Sequence, residues 1–506
     1  MASTLKERLR GVSLIFACGT ALFSDGYANG VISSVNTHSP VLTRIYGDRL
    51  EAHNYGTTVR SVTFAGTVVG MVLFGWLSDK VGRKFGMMTA AGIVLLFSGL
   101  SAASKGANGS LGGMLSMLSA MRFLLGIGIG AEYPCGSVSA SEQSEGPLIN
   151  KFAQHRWLAL ATNCMIDFGF VIAAFVPLVL FWIFGDDHLR AVWRLSLGLG
   201  IVPALFIFLW RLNMDEPERY KKDSMKNTKI PYRLVFKRYW GQLATISVLW
   251  FLYDFIVYPV REYFGNGSPW LVTGGTDSLT VVFGWNVVIK QVAPKLQTLC
   301  LLTTTVMISL FYMPGTFGGA FLLDYIGPKY TLVISLLLQA VIGFIMSGLY
   351  EKLTSHIAAF AVVYGIFLSL GELGPGNCTM ILASKTSSTA VRGQFYGVAA
   401  AVGKVGAFVG TWAFPPMIDA FGGPNSTRGN TGPFWVGSGL AILSAIIALV
   451  FLKPMSHDGM VAEDAAFRLY LEENGFDTST MGLLDTSTTT SQVVVDEKAG
   501  SFEKEV

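Results

Sequence analysis

Stretches of about twenty consecutive apolar residues recur along almost the whole chain, which is the length an α-helix needs to cross roughly 30 Å of hydrocarbon at 1.5 Å per residue. Helices are the element expected of such runs, because in lipid each backbone N–H and C=O must be satisfied within its own segment. Only 14% of the 506 residues are charged, against about 25% in soluble domains. The predicted fold class is therefore an all-α integral membrane protein with twelve transmembrane helices. The spans fall at roughly 11–34, 57–78, 85–104, 113–140, 157–184, 191–212, 241–264, 297–322, 331–349, 357–384, 393–420 and 433–453. The first run leads from Gly11 straight into a span and lacks a small-residue cleavage site, so it reads as a helix and not as a cleaved signal. Five scattered cysteines form no CxxC or His-paired pattern, which argues against a zinc site or a disulfide framework. A net charge of +4 gives no basis for binding nucleic acid.

The longest basic stretch, LNMDEPERYKKDSMKNTKIPYRLVFKR, lies between the sixth and seventh spans. It divides the chain into a six-helix bundle at 1–212, a linker at 213–240, a second six-helix bundle at 241–453 and a tail at 454–506. Its cations fall on one side with Lys6, Arg8, Arg10, Lys80, Arg83 and Lys84 if both termini are cytoplasmic, which sets the orientation by the positive-inside rule. That topology places the N-x-S/T sequons at Asn108, Asn266 and Asn425 outside, with Pro269 weakening the second; a fourth, at Asn377, sits within a span. The tail lacks periodicity and is rich in Ser, Thr and acid, so it reads as solvated and disordered, a kind of segment often regulated by phosphorylation or ubiquitin attachment.

The halves repeat. GWLSDKVGRK (75 to 84) follows the second span and AFLLDYIGPKY (320 to 330) follows the eighth. Asp79, Gly82 and Lys84 correspond to Asp324, Gly327 and Lys329, with Gly75 and Arg83 completing the first copy and Pro328 replacing the basic residue in the second. The glycine permits a tight connection, the acid can face a neighbouring helix N-terminus, and the basic residue anchors at headgroups. Six-plus-six repetition signals parallel repeats around a midplane site.

Several ionisable residues lie inside the spans: Asp25, Arg122, Asp167, Asp254, Glu372 and Lys404, with Glu132 nearer a helix end. Each costs about 2.5–3.5 kcal/mol at mid-membrane, and the set on the order of 20 kcal/mol if each faced lipid, so they are expected to converge on an interior cavity. Trp250, Asp254 and Tyr258 are spaced i, i+4, i+8 and share a helical face within roughly 80°. Arg122 and Lys404 come from opposite halves, and two cations at one cavity suit an anion. Carboxylates there would repel the anion unless protonated, and burial favours the proton. That points to proton coupling, with a sodium site as the alternative.

The loop GWLSDKVGRK resembles the signature of the major facilitator superfamily, and the resemblance covers roughly residues 10 to 455. Within it, RFLLGIGIGAEYP (122 to 134), the W-x3-D-x3-Y face and SSTAVRGQFYGVAAAVGK (387 to 404) are similar to the phosphate:proton symporter family. The resemblance implies that Tyr133, Trp250, Asp254, Tyr258 and Lys404 bind a phosphate group, and that Asp25, Arg122 and Glu132 form the proton path. Asp167, Asn377 and Arg122 are further candidates for the substrate site. Two departures stand out. GAEYP replaces GGDYP, and MIDFG offers Ile166 and Asp167 where phosphate members have a glutamine, with no amide nearby. An added acid suits a polyol or a choline better than bare phosphate. GAEYPCGSVSASE and RLYLEENGFDTSTMG look most like the fungal glycerophosphodiester permeases, importers of glycerophosphoinositol and glycerophosphocholine. The resemblance implies a plasma-membrane symporter driven by the proton gradient, with a small anionic phosphodiester as cargo, no cofactor or metal, and no enzyme activity. The alternatives are an inorganic phosphate:proton symporter and a transporter-like nutrient sensor. A sugar symporter has little use for two interior cations. GIGIGA (126 to 131) satisfies a dinucleotide fingerprint, but that motif needs a soluble βαβ unit around it, so its glycines are assigned to helix packing.

Overall fold

The computed structural model describes residues 5–35, 42, 45–46, 55–260, 302, 305–423 and 426–482. The sequons at Asn266 and Asn425 and the far end of the tail lie outside these. Among the described residues every regular element is helical, and ten helices are long and apolar enough to cross a membrane. One of them, Thr305–Gly348, has 44 residues, about 66 Å of helix and twice a bilayer. It is broken at Gly327 (φ 78°, ψ 164°). Its two arms flank the same segment: a Cβ at Gly315 or Gly319 would strike Ser369 or Leu373, and on the other arm Ser335 donates to the Leu370 carbonyl. The helix therefore folds back on itself at Gly327 and supplies two spans. A further pair, Leu5–Gly19 and Phe23–Val35, joined by the 3-10 turn Thr20–Leu22, fills the place of the first expected span, so the helices account for all twelve.

The repeated loop is built as its residues dictate. Gly82 breaks the first copy at φ 147°, in the region closed to most side chains, as Gly327 breaks the second. Glu216, from the linker, accepts from the amides of Arg83 and Lys84, both at 3.1 Å, and so caps the helix Arg83–Ala102. Burial pushes the Glu216 carboxyl above its ordinary value, while those amides and the Arg83 cation pull it down.

The fourth span is held to the second by interlocked glycines. A Cβ at Gly126 would lie 2.3 Å from the Thr63 carbonyl and one at Gly130 2.1 Å from that of Thr67, while Gly66 and Gly70 meet Phe123 and Ile127 the same way. GIGIGA is thus a packing surface, as the small-residue rule for membrane helices predicts. Between the halves, Tyr55–Lys80 packs along Arg392–Ala420, where a Cβ at Gly397 would sit 2.3 Å from the Met71 carbonyl.

The region after residue 454 differs from expectation. Gly459–Glu473 is a helix whose Met460, Asp464, Phe467 and Leu471 are buried. These recur at i, i+4, i+7 and i+11, one face of a helix; the polar residues of the chain end masked that period. The seventh span likewise starts at Tyr232, inside the segment expected to be linker.

Candidate functional site

Two spans carry a π turn at a proline: Tyr133–Ser137 in the fourth and Glu372–Gly376 in the tenth. Such turns shift the register of a helix and turn side chains inward, and they concentrate at functional sites. Both border a narrow cavity between the halves of about 40 Å³, lined among others by Tyr133, Asn163, Asp167, Trp250, Tyr253, Asp254, Tyr258, Glu372 and Lys404. Pockets for small organic ligands hold roughly 300–1,000 Å³, so the cavity must widen to take one.

Lys404 forms one pole. Its ammonium lies 3.6 Å from Asp254 Oδ2 and 3.7 Å from Asp25 Oδ2, and it donates to the Tyr258 hydroxyl. It also sits over the rings of Tyr258 and Tyr133, at 4.2 and 5.4 Å from their centroids. Tyr133 donates to Asp25 Oδ2 at 2.6 Å, and Asn29 donates to the other oxygen at 2.7 Å. Trp250 packs between Tyr133 and Tyr396, with centroids at 6.3 and 5.7 Å, and Gly403 leaves room for its indole. The shared face expected of Trp250, Asp254 and Tyr258 is present, and all three line the cavity.

Acids form the other pole. Glu372 accepts from Tyr253 at 2.9 Å and from Asn163 at 3.0 Å, and Asp167 accepts from Thr316. Among the described residues lining the cavity Lys404 is the one cation, facing Asp167, Asp254 and Glu372, with Asp25 hydrogen-bonded to the lining Tyr133. An anion can settle on Lys404 only by displacing carboxylates from it or by meeting them protonated.

Not every interior charge reaches this cavity. Arg122 is buried, bonding Thr63 Oγ1 at 3.2 Å and the Ala28 carbonyl at 2.9 Å, and it does not line the cavity. Glu132 is held by Arg211 at 2.7 and 2.9 Å, and Arg211 also donates to the carbonyls of Ala17, Cys18 and Met87. The expectation that all the interior charges converge on one cavity is corrected for these two. Position along the span suggested convergence, but the rotation of the helix turns Glu132 toward the sixth span and its arginine. Asn377 is buried beside the cavity and donates to the Thr316 carbonyl at 3.0 Å, without lining it.

Several residues were not anticipated. Asn163 supplies the amide that MIDFG lacks, one turn earlier on the same helix, and Tyr253 sits next to the recognised Asp254. The sequence did hold a signal: E-x-x-x-G occurs at Glu132–Gly136 and at Glu372–Gly376, in corresponding spans of the two halves. One copy is consumed by an ion pair and the other faces the cavity.

The repeated loops close the end of the bundle that carries the linker. Asp79 accepts from the amides of Gly393 and Gln394 at 2.9 and 2.8 Å, at the start of the helix Arg392–Ala420. Asp324 accepts from the Arg156 amide at 3.1 Å, at the start of the fifth span. Each acid thus faces a helix N-terminus in the opposite half, as the loop chemistry predicts. Arg83 binds Asp79 at 2.6 Å and Glu142 at 3.0 Å, and Glu142 reaches Arg392 at 3.3 Å. Asp464, from the helix past the last span, accepts from the Ser388 hydroxyl at 3.0 Å and from the amide and hydroxyl of Thr389 at 2.6 and 2.8 Å.

Known proteins match this architecture. Residues 12–459 match the model of the sugar (and other) transporter family. The chain is 42% identical to the glycerophosphocholine permease GIT4 of Candida albicans, over 99% of this chain and 89% of that protein. It is 42% identical to the major glycerophosphoinositol permease GIT3 of the same organism, over 92% and 83%, and 31% identical to the glycerophosphoinositol transporter 1 of Saccharomyces cerevisiae, over 95% and 86%. Among solved structures, the proton:xylose symporter XylE superposes with a TM-score of 0.69 at 16% identity, covering 92% of this chain and all of that one. Among the described residues the helices account for twelve spans, with repeated loops and a central cavity in the major facilitator fold, and the chain belongs to the sugar (and other) transporter family.

Proposed function

We propose that the protein imports a glycerophosphodiester, of the glycerophosphoinositol or glycerophosphocholine class, together with protons. The halves at 1–212 and 241–453 would rock about the cavity in alternating access, with the linker and both termini on the cytoplasmic side of the plasma membrane. The observation that carries this reading is the division of the cavity between a cationic pole at Lys404 and an acidic pole at Glu372 and Asp167. In this reading the phosphodiester oxygens take Lys404, Tyr258 and Tyr133. The acids and Asn163 then receive the head group, as acceptors for inositol hydroxyls or as counter-charge for choline. The nearly full-length similarity to permeases for these two cargoes supports it.

Proton coupling follows from charge balance. Asp25 and Asp254 both lie within ion-pair distance of Lys404, so an anion replaces them at least cost when they carry protons. In an inside-negative cell, each inward negative charge costs about 2.3 kcal/mol per 100 mV, so a monoanionic cargo gains from more than one accompanying proton. The test is uptake of labelled glycerophosphocholine into proteoliposomes under an imposed pH gradient, with glycerophosphoinositol, glycerol-3-phosphate and inorganic phosphate as competitors. Uptake that ignores both the gradient and an uncoupler would disprove coupling. Displacement by inorganic phosphate at equal concentration would favour a phosphate symporter. We place regulatory modification on the Ser/Thr-rich chain end beyond residue 482.

A further inference from the structure

At the linker end a second group of side chains meets outside the cavity. His155, near the start of the fifth span, Asp324, from the repeated loop of the other half, and His457, from the segment before the last helix, present ligand atoms all within 4.8 Å of one another. His155 is 1% exposed; the Leu323 backbone lies within weak hydrogen-bond reach of its ring, and neither nitrogen is otherwise paired among the described residues. Nδ1 of His457 and Oδ2 of Asp324 are also buried without a hydrogen bond among those residues, although Arg156 Nε lies 3.6 Å from that oxygen. The two imidazoles stack with centroids 4.7 Å apart. Buried polar atoms are almost always paired, and each one left bare costs about 1–3 kcal/mol. One such atom from each of the three residues can share a single partner.

We infer that His155, Asp324 and His457 form a transition-metal site, suited to Zn2+, that joins the two halves at the linker end. Two imidazole nitrogens and one carboxylate oxygen, with a water in the fourth position, are a standard zinc donor set at about 2.0–2.2 Å. Tetrahedral ligands at that radius stand about 3.4 Å apart, and imidazole lone pairs lie in the ring plane, so one of the two stacked rings turns out of the stack to bring the three atoms into place. Asp324 Oδ1 is oriented by the Arg156 amide, which leaves Oδ2 for the metal. The His457 segment is fixed in turn by Asp458, which accepts from Lys151 at 2.5 Å and from Gln154 at 3.3 Å. Because the ligands come from both halves, a bound metal holds that end shut. On the proposed transport cycle, this slows turnover.

The experiment uses the full-length protein purified in detergent and titrated with Zn2+ against a fluorescent chelator, with the Co2+ spectrum as a second reading. We expect one equivalent per chain and a Co2+ spectrum of tetrahedral intensity. His457→Gln, in a half-buried segment where folding is least at risk, should weaken binding at least tenfold, and His155→Gln likewise. Zn2+ should slow uptake by the wild-type protein in proteoliposomes severalfold, reversed by chelator, and leave His457→Gln unaffected. The site is overturned if no zinc binds at tens of micromolar, the outcome a bridging water would give, or if both variants bind as tightly as wild type. Zinc bound with unchanged uptake overturns the clamp, independently of which cargo is carried.

Discussion

The ammonium of Lys404 lies 3.7 Å from the carboxylate of Asp25, an ion pair that joins the eleventh span to the first across the centre of the molecule. Both side chains are about 1–2% exposed, and removing one partner of such a buried pair costs about 3–5 kcal/mol.

Lys404→Ala therefore strands Asp25 and Asp254 and removes the cation that faces cargo. Uptake at low substrate should fall about 100-fold, equivalent to about 2.7 kcal/mol. Lys404→Arg restores charge but not the compact ammonium, and should recover only part. Initial rates in proteoliposomes check this; an Ala variant within threefold of wild type contradicts the site.

Glu372→Gln tests the acidic pole. The amide keeps one oxygen to accept the bonds that Tyr253 and Asn163 give to separate carboxylate oxygens, and it offers no counter-charge. Glycerophosphocholine transport should drop about tenfold more than glycerophosphoinositol transport, read as the ratio of the two competition constants. Equal losses would show that the acid does not meet the head group.

Glu132 should behave differently from either. Chelated by Arg211 and away from the cavity, it is a bracket between the fourth and sixth spans. Glu132→Gln leaves Arg211 buried and unmatched, a loss of about 3–5 kcal/mol in stability, with the order of competing cargoes unchanged. Thermal unfolding in detergent and a cargo panel separate the two effects. A changed pH dependence of uptake at normal stability would return Glu132 to the proton path.

These contrasts show where the sequence is informative. Span positions follow from hydrophobic length alone, and Gly82 and Gly327 were legible because only glycine fits a connection at positive φ. Trp250, Asp254, Tyr258 and Lys404 were legible because a charge within twenty apolar residues must have an interior purpose. The direction in which a buried charge points was not legible, since apolar residues surround these helices on every side and leave no moment to orient them. That is why Arg122 and Glu132 were grouped with Lys404, and why Asn163, polar but uncharged, went unnoticed.

Asp464→Asn should loosen the closed end. It weakens the bonds to Ser388 and Thr389 and the contact with Arg392, 3.5 Å away. A cysteine placed at Thr379, on the cavity wall, should then react severalfold faster with an impermeant maleimide applied from the linker side. An unchanged rate would mean that Asp79 and Asp324 suffice to hold the closure.

Asp464 also has a bearing on how the protein is made. It lies beyond the last membrane span, and translation proceeds from the N-terminus, so every helix of the bundle is synthesised before this residue leaves the ribosome. The latch on Ser388 and Thr389 is thus fastened last. A truncated product ending after Phe451 would carry all the spans and the whole cavity yet lack that fastening, and a premature stop there should yield a loosely closed carrier, open to recognition by quality control.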